Sequence, residues 1–167
     1  MKQYKYVFII IVLATITIIF GHIYNQSKLP ATTPYNRLIS QLDSINVDDI
    51  QRIKEDGDNA IIYIGREHCP YCESAAEVLI SLTTSVKYLD TQSLQKDADK
   101  YLKLIELLKN DIPEIQDGLM IPIIINIKEG QIKIYHIGTL NSDETGKLST
   151  SQKKQLKKIY INLMEGK

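Results

Sequence analysis

The chain has 167 residues, and its 20 Lys and Arg against 20 Asp and Glu leave a formal net charge of zero. That length suits one compact domain with an appendage, and the charge balance supplies no basic face of the kind nucleic-acid binding needs. The only cysteines are Cys69 and Cys72, which excludes a small secreted fold held by scattered disulfides.

The N-terminal segment stands apart from the rest. Between Tyr6 and Ser27 there is no Lys, Arg, Asp or Glu, and Val7 to Phe20 is almost wholly Ile, Val, Leu and Phe. As a helix, Tyr6–Tyr24 would extend roughly 28 Å, close to the ~30 Å of a bilayer's hydrocarbon core. Tyr4, Tyr6 and Tyr24 stand where interfacial aromatics are expected. No small-residue cleavage site lies near Gly21-His22-Ile23-Tyr24. Residues 1–24 are therefore expected to form a retained membrane anchor rather than a cleaved signal sequence. The α-amino group, Lys2 and Lys5 precede it, while Lys28 and Arg37 follow more sparsely. The positive-inside rule then places the remainder of a single-pass cell-membrane protein outside the cytoplasm.

Residues 25–34 are polar, hold Pro30 and Pro34, and read as a linker to a domain over 35–167. Within 35–58, Leu38, Ile39, Leu42, Ile45, Ile50 and Ile53 recur at roughly helical spacing, which predicts one broken helix or two short ones. Ala60–Ile64 is a continuous apolar run before Gly65, as in a buried strand. Pro70 opens a helix with Cys72, Ala75, Ala76, Leu79 and Leu82 on one face, and Val86–Leu89 gives a second strand. Asp97–Asn110 is predicted helical, with Leu102, Ile105 and Leu108 or Leu107 inward. Ile123–Ile127 and Gln131–Ile137, joined by Lys128-Glu129-Gly130, read as a hairpin. Ser149 or Thr150 caps a last helix that turns Leu156, Ile159, Tyr160 and Leu163 inward. The expected class is α/β, with a mixed central sheet flanked by helices: the first two strands parallel, the last two antiparallel.

The chemistry is expected at Cys69-Pro70-Tyr71-Cys72. Proline suits the first helical position, because the N–H it lacks would have no partner there. Cys69 then becomes the N-cap and Cys72 falls on the first turn. Free N–H groups and the helix dipole favour a thiolate at such a place. Cys69 is expected to be an exposed, low-pKa nucleophile and Cys72 the deeper, resolving thiol. His68 is a candidate for tuning that pKa by charge, while Arg66 and Glu67 read as surface residues or partner contacts. A zinc site would have only His68 and His136 to add to the two cysteines. Haem attachment requires His after the second cysteine, where Glu73 stands. A structural disulfide across so short a loop would stabilise little. Thiol–disulfide exchange without metal or cofactor is the remaining expectation.

Taken together, the apolar strand, Cys-Pro-Tyr-Cys on a helix, and Gly118-Leu119-Met120-Ile121-Pro122 before a hairpin resemble the thioredoxin superfamily. The resemblance covers about residues 60–165. It implies a thioredoxin-like fold, a cis peptide bond at Pro122 facing the dithiol, and an Ile121 backbone that pairs with an extended substrate. Tyr71, between the cysteines, is a further expected substrate contact. Ile64 to Cys72 is similar to one branch, the bacteriocin (pediocin-type) transport and accessory proteins. That likeness implies disulfide formation in secreted proteins or peptides, recycled by a redox partner. A reductase fed by a membrane electron donor, or a non-catalytic binding or immunity protein on the same scaffold, are the alternatives. One departure stands out: where thioredoxin has an acidic residue six positions before the first cysteine, this chain has Tyr63. Glu67 or water is then left to take the proton of Cys72.

Overall fold

The computed structural model describes residues 33–82, 85–141 and 143–167. The expected membrane anchor and most of the linker lie outside these residues. Among the described residues, no helix is long and apolar enough to cross a membrane. Thr33 caps the first helix, its hydroxyl accepting from the Asn36 N–H at 3.1 Å, and Pro34 opens that helix.

The elements in chain order are α1 (Pro34–Ile39), β1 (Asp43–Ile45), α2 (Val47–Glu55), β2 (Ala60–Gly65), α3 (Pro70–Leu79), β3 (Val86–Asp90), α4 (Ala98–Leu108), β4 (Ile123–Lys128), β5 (Gln131–Ile137) and α5 (Thr150–Glu165), with short 3₁₀ turns between some of them. The strands form one five-stranded sheet in the order β1-β3-β2-β4-β5. β3 pairs parallel with β1 and β2, while β4 is antiparallel to β2 and β5. This is the expected mixed central sheet flanked by helices.

Two apolar layers sandwich the sheet. On one face α1, α3 and α5 bury Leu38, Ala75, Ala76, Leu79, Leu156, Tyr160 and Leu163 against Tyr63, Tyr88 and Ile124. On the other, α2 and α4 bury Ile50, Ile53, Leu104 and Leu108 against Ile62, Ile64, Ile123 and Ile125. Alternate residues of β2 and β4 thus serve opposite layers, which is why both read as unbroken apolar runs.

Two sequence expectations are corrected. The segment 35–58 is two helices separated by a strand. β1 is three residues long and largely exposed, and it exists through its register with Lys87–Leu89 of β3. In α4 the inward row is Leu104 and Leu108, both fully buried, whereas Leu102 is 63% exposed. Residues four apart share a helix face, and Leu102 lies outside the stripe set by the other two. The hairpin turn requires left-handed backbone at both Glu129 (φ 53°) and Gly130 (φ 72°), and a Cβ at position 130 would stand 2.2 Å from the Lys54 carbonyl oxygen.

These placements predict that Leu104→Ala lowers unfolding free energy by about 2–5 kcal/mol, whereas Leu102→Ala changes it by less than about 0.5 kcal/mol. Urea unfolding midpoints at equal slope check both, and the reverse order would contradict the α4 register.

Candidate active site

β2 ends at Gly65, whose carbonyl accepts from the Thr91 N–H at 2.9 Å, so the chain leaves the sheet at a fixed point. His68 takes a left-handed backbone (φ 60°), and Cys69 (φ −107°, ψ 111°) is the N-cap of α3, with Pro70 in the first turn. The Cys69 Sγ accepts from the Cys72 N–H at 3.2 Å. A sulfur therefore fills the place that a hydroxyl or carboxylate oxygen usually holds at a helix start.

The two thiols are unbonded to each other and sharply unequal. Burial alone would raise the Cys69 pKa, but it is lowered to about 7. The thiol of Cys72 is the largest cause, followed by the Cys72 N–H, the Arg66 charge and the Tyr71 N–H. The Cys72 pKa is raised, first because its proton is held in the bond to Cys69 and second because the sulfur is buried. A thiolate at Cys69 and a protonated Cys72 are thus one arrangement seen from two sides. Contrary to expectation, Cys69 is not exposed: only 6% of its surface meets solvent, and none of Cys72 does. Cys69 lies in the apolar cluster that holds Cys72, against which Tyr71 and Ile121 also pack.

Cys72 is walled by phenols. Tyr63 donates its O–H to the Cys72 carbonyl at 3.0 Å, and the Tyr35 and Tyr88 hydroxyls share a 2.6 Å bond. The three rings pack at centroid distances of 6.0–6.4 Å. Burial pushes the pKa of Tyr35, Tyr63, Tyr88 and Tyr160 upward, so this wall is neutral at neutral pH. Glu67 is turned elsewhere, its Oε1 accepting from Asn36 Nδ2 of α1 at 3.0 Å. His68 is exposed. The cation that acts on Cys69 is Arg66, a residue expected to be a surface or partner contact, which stands three residues before it at the exit of β2. His136 packs edge-on against Tyr160, and its Nε2 is buried without a hydrogen-bond partner among the described residues. No group of three or more His, Cys, Asp or Glu among the described residues is placed to hold a metal ion.

The Ile121–Pro122 bond is cis. Ile121 packs on the apolar cluster that contains Cys69 and Cys72, and no described residue bonds to its N–H or C=O. Ile121 and Tyr71 line one groove of 680 Å³ together with Met120, Glu114 and residues 135–139. Pro122 is buried beside it and accepts the Gly138 N–H at 2.7 Å. A strap with no local motif to announce it crosses the start of α3. The Tyr71 hydroxyl donates to the Asp143 carbonyl at 2.7 Å, and the Ser74 hydroxyl donates to the Gly146 carbonyl at 2.6 Å. A Cβ at Gly146 (φ 63°) would lie 2.6 Å from the Pro70 carbonyl carbon, so only glycine fits that approach.

No family model matches the chain, and no curated protein matches it either. Solved structures do match. One is mitochondrial thioredoxin 3 of Saccharomyces cerevisiae in its oxidized form, at 15% identity and a TM-score of 0.40 over 63% of this chain and 87% of that one. Another is a proposed oxidoreductase with a thioredoxin fold, at 13% identity and a TM-score of 0.39 over 73% of this chain and 96% of the other. At such values neither likeness decides what this chain does, and the functional reading rests on the dithiol geometry.

Alkylation of Cys69 by iodoacetamide is predicted to rise with pH around a midpoint near 7. In Cys72→Ala the thiol donor, the largest cause, is gone while the backbone N–H bonds and the Arg66 charge remain, so the midpoint moves up. A midpoint of 8.5 or so in the unsubstituted protein, the ordinary thiol value, would contradict the assignment.

Proposed function

We propose that this protein is a thiol–disulfide oxidoreductase whose nucleophile is Cys69 and whose resolving thiol is Cys72. The observation that carries the reading is the unequal pair, one sulfur lowered to about 7 by the bonds it accepts and the other raised and fully buried. A structural cysteine pair needs no such asymmetry, whereas exchange needs one sulfur that is thiolate near neutral pH.

As an oxidase, the disulfide form works in two displacements. A substrate thiolate attacks Cys69 Sγ, the Cys69–Cys72 bond breaks, and the departing Cys72 sulfur takes up a proton. A second substrate thiolate then attacks the substrate sulfur of the mixed disulfide, and Cys69 leaves as a thiolate. The substrate has lost two electrons and the protein holds them as its dithiol, which a redox partner must reoxidise. The low pKa of Cys69 makes it a good leaving group in the second displacement and stabilises the reduced protein, both of which favour giving the disulfide away. The free backbone of Ile121 and the side chain of Tyr71 in the adjoining groove support extended binding of the substrate cysteine's neighbours.

The finer reading is a protein anchored in the cell membrane by residues 1–24, with the dithiol outside the cytoplasm, forming disulfides in secreted peptides of the bacteriocin kind. Its support is the uncharged N-terminal run and the likeness of Ile64–Cys72 to the bacteriocin accessory branch. An oxidising compartment suits that direction.

Trapping tests the whole proposal. Cys72→Ser protein, recovered from its host's membrane fraction under acid quench, should carry reducible adducts through Cys69 to secreted peptides. Cys69→Ser should carry none and should lose at least about a hundredfold of exchange activity. Absence of adducts together with full activity of Cys69→Ser would refute it.

A further inference from the structure

The groove beside the dithiol follows the open edge of the sheet. β5 is the last strand in the order β1-β3-β2-β4-β5, so among the described residues it is paired on one side only. Consecutive residues from Tyr135 to Thr139 line the groove. Neighbouring side chains of a strand point to opposite faces, so an unbroken run lines a single groove only where that groove lies alongside the backbone. An unpaired edge of that kind is a template for another extended segment. Met120, 51% exposed, and Ile121 add an apolar wall to it.

The charge of this groove is one-sided. Glu114 is its acidic side chain, held by Tyr135, whose hydroxyl donates to Oε2 at 2.8 Å and Oε1 at 3.1 Å. That bond raises the Tyr135 pKa, so the phenol remains the donor and the carboxylate the acceptor. No Lys or Arg among the described residues lines the groove. Burial lowers the His136 pKa, which leaves the imidazole neutral.

We infer that this protein selects, among cysteine-containing peptides, an extended segment that lies along the edge of β5 and carries a Lys or Arg against Glu114, with an apolar residue over Met120 and Ile121. The inference rests on reading Cys69 and Cys72 as an exchange centre. A carboxylate already fixed by Tyr135 spares part of the ordering cost that weakens most exposed ion pairs. The expected preference is about two- to fivefold in KM, with kcat unchanged, as for an exposed pair.

The test uses the full chain, reduced and in detergent micelles, with synthetic peptides whose single cysteine is capped as a glutathione mixed disulfide. In each turnover the Cys69 thiolate attacks the peptide sulfur and displaces glutathione thiolate, Cys72 then attacks Cys69 and releases the peptide thiolate, and two added glutathione thiols reduce the resulting protein disulfide and leave as glutathione disulfide. Lys, Gln or Glu is scanned through the positions flanking the cysteine, and a small aromatic disulfide serves as reference. At one register Lys should lower KM two- to fivefold relative to Glu. Glu114→Gln or salt of about 1 M, where the screening length is about 3 Å, should remove that preference, and Glu114→Lys should reverse it, each variant's rates being taken relative to its own reaction with the small disulfide. A Lys-to-Glu ratio near one, or one unchanged by Glu114→Gln while the small disulfide still reacts, overturns the inference. Failure of the small disulfide to react at all overturns the exchange reading beneath it.

Discussion

Everything distinctive in this protein depends on a sulfur occupying a helix cap. The first turn of any α-helix presents N–H groups with no partner inside the helix, and here the atom that receives one of them is Cys69 Sγ. Pro70 contributes by lacking an N–H where none would be satisfied and by presetting the first-turn backbone. The cap bond, the Cys72 thiol and the Arg66 charge all favour negative charge on Cys69, and together they outweigh the burial that opposes it. The bond to Cys69 and burial hold the Cys72 proton more tightly, against the opposing pull of Arg66. One local geometry therefore creates both members of an unequal pair.

The sheet supplies the second constraint, a neutral setting for the deeper thiol. Tyr63 of β2 and Tyr88 of β3 sit opposite one another in the parallel register, and Tyr35 of α1 closes over them. Their hydroxyls satisfy one another or the Cys72 carbonyl, so the wall adds polar atoms without adding charge. A carboxylate in that place would draw the proton from Cys72, whereas phenols with raised pKa leave it protonated.

Much of this architecture was legible in the residues. The strands β2, β4 and β5, the helix opened by Pro70 and the last helix follow from apolar runs, caps and turn residues that act locally. The place of Cys69 at the helix cap was legible too, because capping geometry depends on a few adjacent residues. What escaped was set by distant partners. β1 carries no apolar run, and its strand state comes from β3. Leu102 fits a helical pattern but lies outside the buried stripe, since the tertiary docking of α4 chooses among overlapping periodicities. The burial of Cys69 and the role of Arg66 depend on how the turn after β2 folds back on α3. The strap from Asp143 to Gly146, and Glu114 in the groove, come from segments far along the chain, and nothing in local sequence brings them to the motif.

The central claim is that Cys69 is ionised near neutral pH while Cys72 keeps its proton. The reduction potential measured against glutathione buffers across pH 5–9 tests it most directly. Each proton taken up with the two electrons contributes about 30 mV per pH unit. Below the Cys69 pKa both thiols bind protons on reduction, and above it only Cys72 does. The potential should therefore fall by about 60 mV per pH unit at low pH and by about 30 mV above a break near pH 7. A single slope of about 60 mV per unit up to pH 8.5 would show that both thiols stay protonated, and it would contradict the account.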